Sequence, residues 1–302
     1  MNRTFTLFIT NNCNFRCKTC IGEYLKSGNL PLNLVKKILP QIKKLGYSQI
    51  SFTGGEPALH PQFNKMVKLV KDYKLKILFI SNGSLLERYK FLIQYKDFLV
   101  AAEFSLDGAT KEVNDYIRHK NSYEKVKQSV NFFLSQGVET GLSVCLNKLN
   151  KHQIKEFLDL AEKWKVNSIA FGSIIETRYN QKIVLSEEEQ LNCLIKLRNL
   201  LPNYQIECSL FNSLPVTNGI AFCPALNNLN SLAVNPNGEL IFCCGTVGLG
   251  RPLGSLYRNS FAQLYNKYLN LLSSLYKLRL KLLIKGSIPE GFNTCKFCNL
   301  FL

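Results

Sequence analysis

Short apolar runs alternate with longer amphipathic ones through the first two thirds of the chain. TFTLFIT (4–10), QISFT (49–53), LKILFIS (75–81), LVAAEFS (99–105), TGLSVCL (140–146) and SIAFGSI (168–174) have the length and composition of strands. Between them, near 32–45, 61–73, 85–95, 122–136, 150–164 and 186–199, apolar positions recur at helical spacing, which predicts amphipathic helices. Pro40 sits inside the first of these and predicts a kink or a split, because proline has no amide donor. Six β-α units in succession predict a parallel sheet covered by helices, either a partial barrel or a doubly wound sheet.

The rhythm stops after the sixth helix. Residues 201–222 hold two prolines, several asparagines and no clear period, and read as a linker. In SLAVNPNGELIFCC (231–244) a Pro-Asn-Gly turn joins two apolar runs, which predicts a hairpin. A long helix follows at about 261–285, its apolar face expected to pack on the rest of the protein rather than on a membrane, and the chain closes on CKFC (295–298). Lys, Asn or Ser breaks every apolar run before the roughly 18–20 residues a membrane span needs. The start, MNRTFTLFITNN, lacks a signal-cleavage pattern. The expectation is a soluble cytoplasmic protein with no membrane partner.

With 302 residues, 46% of them hydrophobic, the chain can bury a large core. Its formal charge of +17 invites a nucleic-acid partner. Much of that charge, however, is lysine scattered through segments such as NLVKKILPQIKKLG, where it forms the solvated face of a helix. Nucleic acid is therefore not the expected partner, while an acidic one fits. The eleven cysteines change the picture more. An odd number cannot close into intrachain disulfides, and clustered thiols in a reducing compartment point to metal or redox chemistry. They fall at 13, 17 and 20, at 223, 243 and 244, and at 295 and 298; Cys145, Cys193 and Cys208 stand alone and read as small buried hydrophobes.

The chemistry-bearing loops follow the strands: CNFRCKTC (13–20) the first, GGEP (54–57) the second, NGS (82–84) the third and LDG (106–108) the fourth. In parallel α/β folds the loops at the carboxyl ends of the strands converge on one face, where sites are built. Three thiolates spaced C-x3-C-x2-C can hold three irons of a [4Fe–4S] cluster and leave one iron open. Zinc is the competing reading, but structural zinc takes four ligands, and His60, His119 and His152 have no finger-like spacing to the loop.

CNFRCKTC followed by GGEP resembles the radical S-adenosylmethionine (radical SAM) enzymes, and SLDGATKEVNDYIR (105–118) is similar to a stretch of their SPASM/Twitch branch. The resemblance covers roughly residues 3–175. It implies a partial (β/α)6 TIM-type barrel over 1–205 and a small Twitch/SPASM-like auxiliary domain, β-hairpin plus helix, over 206–302. It also implies a mechanism in which reductive cleavage of S-adenosylmethionine gives a 5′-deoxyadenosyl radical that takes a hydrogen atom from substrate. By resemblance Cys13, Cys17 and Cys20 ligate the first cluster, Gly54, Gly55 and Glu56 hold the methionyl amino group, and Ser81, Asn82, Ser105 and Arg118 serve ribose and carboxylate. Glycines allow backbone approach and an arginine suits a carboxylate. One position departs from the family: Thr19 stands where an aromatic residue near the adenine is common.

Cys223, the hairpin thiols and the closing C-x2-C resemble the Twitch form that binds one further [4Fe–4S] cluster, with zinc in the same cage as the alternative. Five thiols stand for four positions. The doublet after the hairpin resembles that of radical SAM peptide epimerases, which implies Cys223, Cys243, Cys295 and Cys298 as ligands and Cys244 as a hydrogen-atom donor, though the doublet's roles can be reversed and the spare thiol can be a buried bystander. The favoured reading is thus an epimerase of a ribosomally made peptide. The alternatives are a dehydrogenase or thioether-forming maturase whose auxiliary cluster accepts an electron, an epimerase of a small molecule such as an aminoglycoside, and a non-enzymatic iron–sulfur or zinc protein on nucleic acid. A ferredoxin or flavodoxin is the implied reductant. The chain begins almost at its first strand, so no amino-terminal module is expected to hold a leader peptide.

Overall fold

The computed structural model describes residues 2–22, 27–177, 179–211, 229, 231–243 and 252–286. Six parallel strands lie in chain order: β1 (Thr4–Thr10), β2 (Gln49–Gly54), β3 (Lys76–Ser81), β4 (Leu99–Ser105), β5 (Thr140–Leu146) and β6 (Ser168–Ser173). The helices between them are α1 (Leu32–Lys44), α2 (Phe63–Asp72), α3 (Lys111–Ile117), α4 (Ser122–Ser135), α5 (Ile154–Trp164) and α6 (Glu187–Leu200). This is the TIM-type α/β architecture expected from the repeated β-α rhythm.

The period-two pattern of each strand explains the layering. Phe5, Leu7 and Ile9 of β1, Ile50 and Phe52 of β2, and Ile77 and Phe79 of β3 point into one core shared with the helices, as do Phe104, Leu142, Val144, Ile169 and Phe171 further along. Many alternate positions are small or polar, among them Thr6, Ser51, Glu103, Ser143 and Cys145, with Phe8 and Ile80 as apolar exceptions. A closed TIM barrel fills its interior with bulky branched side chains. The polar inner face here is instead suited to a ligand.

Three elements differ from their sequence-based expectation, each for a local reason. Residues 86–98 form two 3-10 stretches, Leu86–Arg88 and Lys90–Phe98, broken at Tyr95, where an α-helix was expected near 85–95. Tyr89 and Leu92, three apart, are the buried positions, and that spacing matches a 3-10 turn. Pro40 neither splits nor ends α1, because it and Lys36, whose carbonyl it leaves free, both lie on the exposed face where water serves that carbonyl. Part of the expected linker is β7 (Glu207–Phe211), which pairs in parallel with β6, so the open edge of the sheet supplies the order that local periodicity lacks.

The hairpin forms as β8 (Ala233–Val234) and β9 (Glu239–Ile241), extended by the short β10 (Gly254–Ser255). It is not a separate sheet: β8 pairs in parallel with β1, giving one ten-stranded sheet ordered β10-β9-β8-β1-β2-β3-β4-β5-β6-β7 among the described residues. Strands on both sides of the 205/206 boundary therefore share backbone hydrogen bonding with the barrel. The last helix, Phe261–Ile284, lays Phe261, Leu264, Tyr268, Leu272 and Leu275 on the core, with the Phe261 ring 6.0 Å from that of Phe5. No described helix is long and apolar enough to cross a membrane.

Candidate active site

The loops at the carboxyl ends of the strands enclose a cavity of about 290 Å³. Cys13, Cys17, Cys20, Gly54, Gly55, Ser81, Asn82, Ser105 and Arg118 all line it. The two glycines are demanded by close approach. A Cβ on Gly54 would stand 2.3 Å from the Thr10 carbonyl oxygen, and one on Gly55 2.2 Å from that of Asn12. With no side chains in the way, the Gly55 N–H donates to Thr10 O (2.7 Å) and the Glu56 N–H to Asn12 O (2.8 Å), carrying the β1–β2 pairing into the loops.

The thiol loop is held from both sides. The Phe15 ring stacks on His119 (4.7 Å, 4°), and the Lys18 N–H donates to Ile117 O (2.9 Å), strapping the loop to the end of α3. Backbone N–H groups point at two of the sulfurs, Phe15 to Cys13 Sγ (3.4 Å) and Gly22 to Cys20 Sγ (3.3 Å), and Asn82 Nδ2 also reaches Cys13 Sγ (3.8 Å). Such donors favour thiolate, the ligating form. Burial opposes it, raising Cys13 and pushing Cys17 up to about 12 despite the nearby Arg118, so metal binding here must displace protons. Among the described residues no three His, Cys, Asp or Glu side chains are arranged to hold a single metal ion. Three spaced thiols with their own N–H donors fit the three protein-held corners of a [4Fe–4S] cubane.

Glu56 is not among the cavity-lining residues and is 0% exposed. Its carboxylate accepts from Ser81 Oγ (3.0 Å), the Asn82 N–H (2.9 Å) and the Tyr89 hydroxyl, so it braces the β3 loop from behind. Burial raises its pKa, against the pull of those donors.

The opposite wall is built on Asp107, 1% exposed. Its Oδ2 takes Arg118 Nη1 (2.7 Å) and Thr19 Oγ1 (3.2 Å), and its Oδ1 takes the Cys145 N–H (2.9 Å). Thr19, the position that departs from the family, thus links the thiol loop to this wall. Arg118 Nε and Ser173 Oγ are buried on the cavity lining with no hydrogen-bond partner among the described residues, polar atoms that a bound ligand would satisfy. Cys145, read from sequence as inert, lines the same cavity; Asn-x-x-Asn (147–150) just after its strand was the available signal. Glu103 was also missed: it lies on the inner face two residues before Ser105, takes a long bond from Ser143 (3.4 Å), and is raised by burial. Cys193 and Cys208 pack on the core as expected.

Of the second cysteine set, Cys223, Cys244, Cys295 and Cys298 lie outside the described residues. Cys243 is half-buried just past β9. Ile241 registers with Ala233, and Ala233 with Thr6, so β9 runs toward the amino-terminal end of β1, away from Thr10 and the thiol loop.

Residues 7–161 match the family model of the radical SAM superfamily. The chain belongs to this superfamily. Its members are enzymes, and the fold implies S-adenosylmethionine and a [4Fe–4S] cluster. Among curated relatives, the chain is 26% identical over 210 residues to the GTP 3′,8-cyclase of Synechocystis, covering 66% of this chain and 64% of that protein. It is 28% identical over 160 residues to the mycofactocin maturase MftC of Mycobacterium tuberculosis, covering 52% and 41%. The match thus leaves a third or more of each relative's length unspanned. Among solved structures, Streptococcus suis SuiB bound to S-adenosylmethionine superposes with a TM-score of 0.71 at 15% identity, over 88% of this chain and 65% of that one. Native anSMEcpe with bound AdoMet gives 0.70 at 17% identity, over 99% and 95%. At these identities the structural likeness is one of fold.

Proposed function

We propose that this radical SAM enzyme modifies a peptide by inverting an amino-acid stereocentre. The observation that carries the radical chemistry is the single cavity in which the three loop thiols face Gly54, Gly55, Ser105 and Arg118. When bound and reduced by one electron, the cluster and S-adenosylmethionine supply a 5′-deoxyadenosyl radical. The chain's own part is positional. Gly54 and Gly55 bring backbone within reach of the methionyl group, Ser81, Asn82 and Ser105 offer hydrogen bonds to ribose, and the Arg118 guanidinium, with Nε unsatisfied, meets the carboxylate.

A peptide substrate is supported by relatives of the same fold: SuiB has been seen bound to its precursor peptide SuiA, and anSMEcpe to peptides. The chain would then take a peptide from the polar inner face of the barrel. Inversion rests on the Cys243–Cys244 doublet: with Cys223, Cys243, Cys295 and Cys298 on a second [4Fe–4S] cluster of a SPASM/Twitch domain, Cys244 is left to return a hydrogen atom to the opposite face of the carbon. A ferredoxin or flavodoxin supplies the electron. Turnover in D2O then places one deuterium at the inverted carbon with no other change in mass. Cys244→Ala should still form 5′-deoxyadenosine but no epimer; normal epimer from that variant sinks the reading.

One observation favours a second reading, oxidation of the peptide with the auxiliary cluster as electron acceptor. Cys243 lies toward the far end of β1 from the thiol loop, a separation that electron transfer tolerates. A product two hydrogens lighter than the substrate would select it. Iron and sulfide counts on anaerobically purified protein separate one cluster from two.

A further inference from the structure

Cys145 is a half-buried thiol at the site to which the proposed chemistry gives no task. It stands at the carboxyl end of β5, and its register partner on β6 is Gly172, which presents no side chain against it. Its main chain is tied down on both sides. The N–H donates to Asp107 Oδ1 (2.9 Å), and the carbonyl accepts from Asn147 Nδ2 (2.8 Å) and Asn150 Nδ2 (2.9 Å). Asn150 Nδ2 also donates to the Asp107 carbonyl (2.9 Å), so strand end and loop are locked to each other. All three partners are 0–1% exposed. The backbone is therefore fixed, while the thiol lines the cavity among the cluster-loop thiols and has no hydrogen-bond partner among the described residues.

A second observation marks this wall as one that receives a ligand. Ser173, 1% exposed, and Arg118, its side chain 10% exposed and its Nη1 bound to the same Asp107, both line the cavity, and Ser173 Oγ and Arg118 Nε are buried with no hydrogen-bond partner among the described residues. A preorganised wall of this kind holds its groups in place without reorganisation when a ligand arrives. Burial and the Asp107 carboxylate keep the proton on the Cys145 sulfur.

We infer that Cys145 is a hydrogen-atom donor to carbon radicals formed in this cavity. The inference rests on the reading that S-adenosylmethionine is cleaved there. The S–H bond breaks homolytically, the hydrogen atom joins the carbon, and an unpaired electron stays on sulfur as a thiyl radical. One electron from the ferredoxin- or flavodoxin-type reductant and one proton from water restore the thiol. The transfer is downhill because an S–H bond is weaker than the aliphatic C–H bond it forms. Against a peptide radical, Cys145 would then act beside or in place of Cys244; with no peptide present it quenches the adenosyl radical itself.

The test uses the reconstituted full-length protein in D2O with S-adenosylmethionine and dithionite, and no peptide. Mass spectrometry of the 5′-deoxyadenosine should show one solvent deuterium from wild type and most of that label lost in Cys145→Ser. A readout without turnover accompanies it. Equilibrium dialysis of S-adenosylmethionine against the oxidised proteins should give wild-type affinity for Cys145→Ser and clearly weaker binding for Cys145→Leu, which crowds the cavity. Unchanged label in Cys145→Ser or full affinity in Cys145→Leu overturns the inference alone. Absence of 5′-deoxyadenosine from wild type overturns it together with the cleavage it rests on.

Discussion

The two walls of the cavity are made in opposite ways. One is a short loop whose three thiols lie within eight consecutive residues, 13–20, held by neighbouring backbone donors and by the stack of Phe15 on His119. The other gathers Asp107, Arg118, Cys145, Asn147 and Asn150 from the ends of β4 and β5 and from α3 around one buried carboxylate. The first wall takes its thiols from adjacent chain and is strapped to the end of α3. The second exists only once the sheet has formed, and in it an ion pair and a network of hydrogen bonds tie the groups together. A local wall should lose its metal when cut and keep its fold, whereas an assembled wall should lose stability.

Cys17→Ala should break the first wall with the largest effect: the loop-bound iron and all formation of 5′-deoxyadenosine are lost, while circular dichroism remains that of wild type. Collapse of the secondary structure would contradict the local character of that wall. On the second wall, Asp107→Ala leaves the Arg118 charge buried without its partner. Removing one member of a buried pair costs about 3–5 kcal/mol, so the urea midpoint should fall far below wild type; a change within error would mean that the pair contributes nothing to the fold.

Glu56→Gln sharpens the comparison from behind the cavity. It replaces a carboxylate that accepts from Ser81, Asn82 and Tyr89 by an amide with one acceptor, and a hydrogen bond to a charged group is worth about 1.5–3 kcal/mol. Stability should drop by about that much, with S-adenosylmethionine affinity falling less than in Arg118→Ala, measured by equilibrium dialysis. Affinity lost as severely as with Arg118→Ala would return Glu56 to the ligand side. The smallest effect is in pH dependence. Burial raises Glu56 and Glu103 above the ordinary carboxylate range, so just above that range the native chain keeps protons that the unfolded chain releases. Their contribution to stability therefore declines as pH rises from the ordinary carboxylate value to the raised one and is flat beyond it. In Glu56→Gln the slope of the denaturation midpoint against pH should flatten over mildly acidic conditions; an identical slope would show that Glu56 titrates as it does in the unfolded chain.

The strands were legible because period-two burial is written in them: all six begin and end within a residue of the apolar runs, and the pattern of Phe5, Leu7 and Ile9 is enough to orient β1. The 3-10 stretches around Tyr89 and the strand β7 were not, since one depends on a tyrosine reaching Glu56 from 33 positions away and the other on an edge of sheet waiting beside it. The place of the hairpin beside β1 was equally hidden, because nothing local in 231–244 specifies which strand it will join. Cys145 looked like one of three solitary thiols, and Asn-x-x-Asn (147–150) after its strand was the one local sign of the cavity that it lines.

The sequence by itself determined the β-α rhythm, the thiol loop and the glycines after β2, since each is fixed by residues adjacent in the chain: apolar period, ligand spacing, and freedom from a Cβ. Only the tertiary structure decided that Glu56 would brace the β3 loop, that Thr19 and Arg118 would share one carboxylate, and that Cys145 would join the other thiols. Those outcomes turn on which groups meet after the parallel strands pair and bring their ends together, and on where burial leaves a polar atom satisfied or open.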